Sequence, residues 1–306
     1  MELLKRWHKN PILAPTDNWW ECKAVFNPAA IYDGETVHIV YRALGEDNIS
    51  RFGYASTSDG FNIDSRSDMP VFEPEPGIEL ERLGVEDPRI TRNENAYYIT
   101  YSAASVYPAS HPRPAFSFGA PWKTRICMVK TQDFRTFERL GCVLPDIDDK
   151  DGVLFPEKVN GRYAMLHRVF PDIWISFSED LTNWDAGQSM MSPRPGMWDS
   201  GRLGAGAPPI RTDEGWLELY HAADENRVYR LGTVLMDPDD PTKIIRRAEQ
   251  PCFSPEEPYE KVGLVPNVVF ACGMVEKDSQ YLVYYGGADK VVCVASADRQ
   301  QFLTSC

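Results

Sequence analysis

VEDPRITRNENAYYITYSA, residues 85–103, is the stretch from which the fold can be read. A short apolar lead carries Glu86, Asp87, Pro88 and Arg89. A polar turn at 93–95 follows, and then an aromatic-rich run at 97–101 with the composition of a β-strand. Pro88 fixes its own φ and biases Asp87 toward an extended conformation. A carboxylate held there beside Arg89 suits an acid in a pocket. An Asp-Pro turn on the surface is the competing reading of the same residues.

The same grammar recurs four more times. FNPAAIYDGETVHIVYRA precedes FGYASTSDGFNI, and LFPEKVNGRYAMLHRV precedes IWISFSEDLTNW. GAPPIRTDEGWLELYHAA leads to YRLGTVLMDPDDPTK, and NVVFACGMVEKDSQYLVYYGGA to KVVCVASADRQQF. Each unit runs from an apolar strand through a polar turn (33–34, 93–95, 160–161, 213–215, 277–278) to an aromatic second strand (37–41, 97–101, 163–166, 216–220, 281–285). A third strand then closes on a Ser/Thr-Asp type of turn. Aligning Asn27, Asp87, Pro156, Ala207 and Asn267 gives a period of roughly 50–70 residues, the size of a propeller blade with loop insertions. The pattern predicts an all-β chain, a five-bladed β-propeller forming one domain over 1–306, with blades at 24–65, 84–140, 152–186, 204–244 and 264–303. A β-sandwich with coincidental hairpins is the alternative architecture.

In a propeller the first strand of each blade lines the axis, which places Asn27, Asp87 and Asn267 around one pocket. The ends of the second strands add Arg42, Ser102, His167, Arg168, His221 and Tyr285 at the same mouth. The longest insertion, 107–123, holds four prolines and four aromatics and reads as an ordered rim over the pocket, or as a loop packed on a neighbouring blade or subunit.

Bulk properties narrow the function. The chain has 306 residues, net charge −13 and 43% hydrophobic residues, which allows a large core and disfavours nucleic acid and anionic membrane as partners. Its seven cysteines form no CxxC pair and read as reduced thiols of a cytoplasmic protein. The N-terminal MELLKRWHKNPILAP lacks the features of a signal peptide, and no apolar run approaches membrane-spanning length. The segment 146–157 imitates a calcium loop but puts Lys150 and Asp151 where a ligand and the turn glycine belong, and the five histidines are scattered. No metal site, nucleotide motif or organic cofactor is predicted.

Taken together, FNPAAI, VYRA, VEDPRIT, KDGVLFPEKVNGRYAMLHR, GAGAPPI, GWLELYHAA, VPNVVFACG and YYGGAD resemble glycoside hydrolase family 130 over nearly the whole chain. The resemblance implies a five-bladed propeller and inverting β-mannoside phosphorolysis, with some members being β-mannosidases. It implies that Asp87 is the catalytic acid, delivering its proton through the 3-hydroxyl of the mannosyl unit. It further implies a phosphate site from Arg125, Arg139, Lys150, His167, Arg168 and His221. Sugar contacts are implied for Asn27, Arg42, Glu86, Arg89, Asn267, Tyr285 and Asp289. An inverting hydrolase needs two carboxylates about 6.5–9.5 Å apart, one of them to activate water. A phosphorylase needs only the acid, because inorganic phosphate, its co-substrate, arrives as an anion and is held by cations.

Three functions remain open on this reading: a β-mannoside phosphorylase, a β-mannosidase in which Glu86, Glu157 or Asp199 activates water, and a non-catalytic glycan-binding propeller. Arg139 and Lys158 also fit solvated charges at strand ends, Arg42 a salt bridge to Glu46 or Asp47, and Asp199 and Asp289 ordinary turns. Acceptor sugar and linkage are not legible, and assembly into a homo-oligomer is implied only by the resemblance.

Overall fold

The structure, a computed structural model, describes residues 3–93, 95–112 and 121–304. It is all-β, with helix confined to Pro258–Lys261, Arg299–Thr304 and one short 3-10 turn at Glu79–Glu81. Among the described residues no helix is long and apolar enough to cross a membrane. Cys22, Cys127, Cys142, Cys272 and Cys293 are free thiols.

Each predicted second strand is present and runs longer than its aromatic core: Val37–Leu44, Ala96–Val106, Tyr163–Val169, Gly215–Ala223 and Gln280–Gly287. Each pairs antiparallel with an inner strand before it and a third strand after it. The third strands end in a recurring polar turn. Thr57, Thr131 and Ser178 accept backbone N–H groups three residues on, while Asp59, Asp133 and Asp180 accept two each. Side chains thus satisfy the backbone where the ladder stops. The same backbone donors hold the carboxyls of Asp133 and Asp180 down to about 2.

Short outer strands complete the groups: Ser65–Arg66, Glu138–Cys142, Gln188–Met191 and Ile244–Arg247. The fifth group takes its outer strand from the other end of the chain, where Lys5–Arg6 pairs with Val291–Asp298. No continuous ladder joins all five groups. The first two are linked by a single parallel pair, Ser50 with Gly84, and the others form separate sheets. What joins them is apolar packing. One hydrophobic cluster lies between each adjacent pair, and the fifth group packs against the first through Val25, Ile39, Tyr41, Tyr284 and Val294. Full burial of each large side chain contributes about 1.5–3 kcal/mol.

The inner strands carry the main departure from the sequence reading. Asn27, Asp87, Asp151 and Asn267 all adopt left-handed backbone, with φ of 47°, 50°, 55° and 60°. In the first three groups this residue sits in a bulge: pairing skips from Phe26 to Ala29, from Glu86 to Arg89 and from Lys150 to Val153. Asp87 is therefore not extended, as expected before Pro88. Asp and Asn tolerate the left-handed region better than other side-chain-bearing residues, and the bulge turns their side chains inward. It also corrects the alignment, since the third member of the column is Asp151 and not Pro156. In the fourth group the inner strand breaks between Arg202–Ala205 and Ile210–Thr212, where Pro208 and Pro209 have no N–H to give the ladder.

Candidate active site

The bulges aim polar side chains into one pocket of about 270 Å³. Asp87, 2% exposed, is its centre. Asn27 Nδ2 donates to Asp87 Oδ1 at 2.8 Å, and Arg42 Nη1 donates to the same oxygen at 3.1 Å. Lys150 Nζ lies 3.4 Å from Oδ2. Glu86 stands behind this trio, accepting Arg42 Nη2 at 2.6 Å with Lys150 Nζ 3.7 Å away. Arg42 thus pairs with Glu86 and Asp87 rather than with Glu46 or Asp47.

Burial opposes a charge on Asp87, but Lys150, Arg42, Arg89 and the hydrogen bond from Asn27 outweigh it and hold the carboxyl below its usual range. Asp289, on the left-handed turn after Gln280–Gly287, lines the same pocket with the opposite balance. Burial pushes its carboxyl up to about 7, with Asp87 and Glu86 adding to the rise against Arg42 and Lys150. The pocket therefore holds two carboxyl groups whose environments push their pKa values apart, an arrangement typical of acid–base sites.

Beyond Asp87 the wall becomes cationic: Lys150, Arg168, Arg202 and Arg227 line it. Burial first, and then the like charges of Arg168 and Arg227, lower the pKa of Arg202, against the favourable influence of Tyr229 and Asp151. Such crowding suits a multiply charged anion. Tyr229, Val265, Val268 and Phe270 form the remaining wall. Arg202, Arg227 and Tyr229 were not singled out by sequence. The one clue was their place beside the fourth unit's motifs, GAGAPPI and the strand YRLGTVLM.

Asp151 underlies the cations. Its carboxylate, 0% exposed, accepts a hydrogen bond from Arg89 Nη2 at 3.1 Å on Oδ1, while Arg168 Nη1 and His221 Nε2 lie 3.0 Å and 3.3 Å from Oδ2. Gly204 has no side chain because a Cβ there would overlap His221 and Asp151. Burial pushes the His221 imidazole down to about 4 against the pull of Asp151, so it is neutral near pH 7 and supports from beneath.

Several expected site residues lie elsewhere. Arg89 is buried below the pocket, bonding the carbonyls of Asp87, Ala205 and Gly206 and tying three groups together. His167 is sealed in the third group at 0% exposure, against Asp149 and Ser176. Arg125 binds Asp148, the Pro145 carbonyl and the Tyr107 hydroxyl, so it braces the base of the insertion. Arg139 pairs with Glu81 and Glu75 and covers Phe72, on the outer strand of the second group. The Tyr285 hydroxyl donates to Glu260 inside an apolar cluster, so the ring is no sugar wall. Asn267 is exposed between the lining residues Val265 and Val268, its carbonyl accepting Tyr229 N–H at 3.0 Å. Asp199, bound by Arg194, Arg247 and Tyr220, is a buried structural carboxylate. Of the rim 107–123, residues 113–120 lie outside the described residues. At its base Val106 pairs with Trp122, and the Tyr107 ring stacks on His111.

Among the described residues no three His, Cys, Asp or Glu side chains converge as a metal site. A larger surface groove of about 500 Å³, between the third and fourth groups, offers Arg162 and exposed acids but no comparable cation cluster.

Residues 5–306 match the family model Glyco_hydro_130, described as beta-1,4-mannooligosaccharide phosphorylase. A 1,2-beta-oligomannan phosphorylase of Thermoanaerobacter sp. (strain X514) is 47% identical over 95% of this chain and 96% of its own length. A beta-1,2-mannobiose phosphorylase of the same organism is 42% identical, covering 97% of this chain and 98% of its own length. The solved structure of beta-1,2-mannobiose phosphorylase from Listeria innocua, in complex with beta-1,2-mannobiose, superposes with a TM-score of 0.85 at 28% identity, over 99% of this chain and 98% of that one. End-to-end matches in sequence and in fold, together with an Asp-Pro-Arg carboxylate beside a cation wall, mean that the chain belongs to glycoside hydrolase family 130.

Proposed function

We propose that this protein is an inverting β-mannoside phosphorylase. It cleaves a β-linked mannoside with inorganic phosphate to give α-mannose 1-phosphate and a free acceptor sugar. The observation that carries this reading is the juxtaposition of Asp87 with Lys150, Arg168, Arg202 and Arg227 in one pocket. The fold we propose for it is a five-bladed propeller forming one domain. Five strand groups, five intervening apolar clusters and the packing of the last group on the first support it.

In this mechanism a phosphate oxygen attacks the anomeric carbon from the face opposite the leaving oxygen. The C1–O bond to the acceptor breaks, and the proton passes from Asp87 through the sugar 3-hydroxyl to that oxygen. Asn27, Arg42 and Asp289 orient the mannosyl unit, while Lys150, Arg168 and Arg202 hold phosphate. The surrounding cations favour the ionised form of Asp87. A phosphate anion on Lys150 and its neighbours cancels much of that field, so the acid gains its proton as the nucleophile arrives. Water activation would need a second carboxylate poised as base. Glu86 is instead engaged with Arg42 and Lys150, Asp199 is locked in its arginine pairs, and burial favours the neutral form of Asp289, which suits a donor to sugar hydroxyls rather than a base.

The names of the two relatives described above support a β-1,2 linkage. Incubation with β-1,2-, β-1,3- and β-1,4-mannobiose and phosphate, followed by phosphorus NMR, tests the reading. α-Mannose 1-phosphate should form fastest from the β-1,2 isomer. Formation of the β-phosphate would overturn inversion, and preference for another isomer would overturn the linkage.

A further inference from the structure

Lys150 and Arg168 face each other across neighbouring strands, and their backbones are clamped by one carboxylate. Asp149 Oδ1 accepts the Lys150 N–H at 2.7 Å and the Arg168 N–H at 3.0 Å. Its other oxygen, Oδ2, lies 2.6 Å from His167 Nδ1, a close polar contact between two buried groups. On the far side His167 Nε2 meets Ser176 Oγ at 2.9 Å, and Ser176 Oγ reaches the Asp185 carbonyl at 3.3 Å. Exposure is 1% for Asp149 and 0% for His167 and Ser176. Gly187 closes the chain of contacts from outside: its φ is +67°, and a Cβ there would overlap Ser176 Oγ.

Asp, His and Ser in a row have the composition of a hydrolytic triad, but this hydroxyl is sealed from solvent and none of the three lines the pocket. Their structural consequence lies one residue along the strands. Lys150 and Arg168 carry like charges toward one cavity, and the charge on Arg168 disfavours that on Lys150. Lys150 also begins a bulge, where the ladder is interrupted and least able to hold position. The carboxylate of Asp149 supplies the missing restraint, and His167, backed by Ser176, fixes the carboxylate.

We propose that Asp149, His167 and Ser176 form a positioning relay that sets the spacing of Lys150 and Arg168 for phosphate without touching it. This rests on the reading of those two cations as phosphate ligands. Initial rates with β-1,2-mannobiose at varied inorganic phosphate test it in His167→Leu, His167→Asn, Ser176→Ala and Lys150→Ala. His167→Leu should raise the KM for phosphate about five- to tenfold, the effect of a lost buried polar contact, with the mannoside KM and kcat within about twofold. His167→Asn, whose Nδ2 can stand in for Nδ1, should recover most of the loss. Ser176→Ala should shift phosphate KM in the same direction by about two- to threefold, and it carries the test if the leucine variant does not fold. Unchanged phosphate KM in both His167→Leu and Ser176→Ala, or equal losses in kcat and mannoside KM, would overturn the relay. If those variants are silent while Lys150→Ala raises phosphate KM, only the relay falls. If Lys150→Ala is silent too, the phosphate reading falls with it.

Discussion

Asp87 and Asp289 share a pocket yet are pushed in opposite directions, the first toward and the second away from ionisation, and each can be tested by removing its ionisation alone. Asp87→Asn keeps the shape and the Asn27 contact but cannot supply a proton. It should cost about 10²–10⁴-fold in kcat with the fold retained, as read by initial rates and circular dichroism. Asp289 bears on stability. Its folded pKa of about 7 lies above its ordinary 3.8, so the folded state binds the proton more tightly. Below pH ~4 both states are protonated and nothing is lost. As pH rises toward 7 the unfolded chain ionises first and stability falls, the penalty being complete above 7. Asp289→Asn should therefore leave Tm unchanged near pH 4 and raise it by roughly 5–10 °C at pH 8, while impairing mannoside binding. A Tm gain equal at both pH values would contradict the assignment.

At the scale of strands and turns, sequence and structure agree where the signal is local. Alternating apolar residues, turn residues and Ser/Thr-Asp closures lie within a few positions of one another, and all five second strands form where their aromatics predicted. The site was legible where it lay on a motif: Asn27, Arg42, Asp87, Lys150 and Arg168 meet at the pocket. It was illegible where register or distant pairing decides. Tyr285 ends a strand as Arg42 does, but side chains alternate, and its register sends the ring into the core toward Glu260. Asp151 was hidden because a bulge sets its column and not the nearby Pro156. Arg139 pairs with Glu81, 58 positions away, which no local pattern reports. Arg139→Met should lower Tm by several degrees, since removing one partner from a largely buried pair costs about 1–3 kcal/mol after allowance for its partial exposure. Phosphate KM should be unchanged; a severalfold rise would return Arg139 to the site.

For the whole molecule, the two ends of the described chain meet in one sheet. Lys5–Arg6 completes the last sheet, and Arg6 donates to both oxygens of Glu260, which is 0% exposed and also receives Tyr285. Deleting residues 1–9 would uncover the edge of Val291–Asp298 and leave Glu260 without its guanidinium. A buried charge stripped of its partner costs about 3–5 kcal/mol, which for a chain of this size corresponds to roughly 10 °C in Tm. Calorimetry should find that loss in one cooperative transition. An unchanged Tm would mean that the last sheet holds without Lys5–Arg6.

The central claim is that phosphate, held by the cation wall beside Asp87, is the nucleophile. The direct measurement is mannose release from β-1,2-mannobiose by the unmodified protein, first in phosphate-free buffer and then at saturating phosphate. The account predicts that release without phosphate falls by about 10²-fold or more, with α-mannose 1-phosphate accounting for turnover when phosphate is present. Equal release in both buffers would make water the nucleophile and reduce Lys150, Arg168 and Arg202 to structural charges.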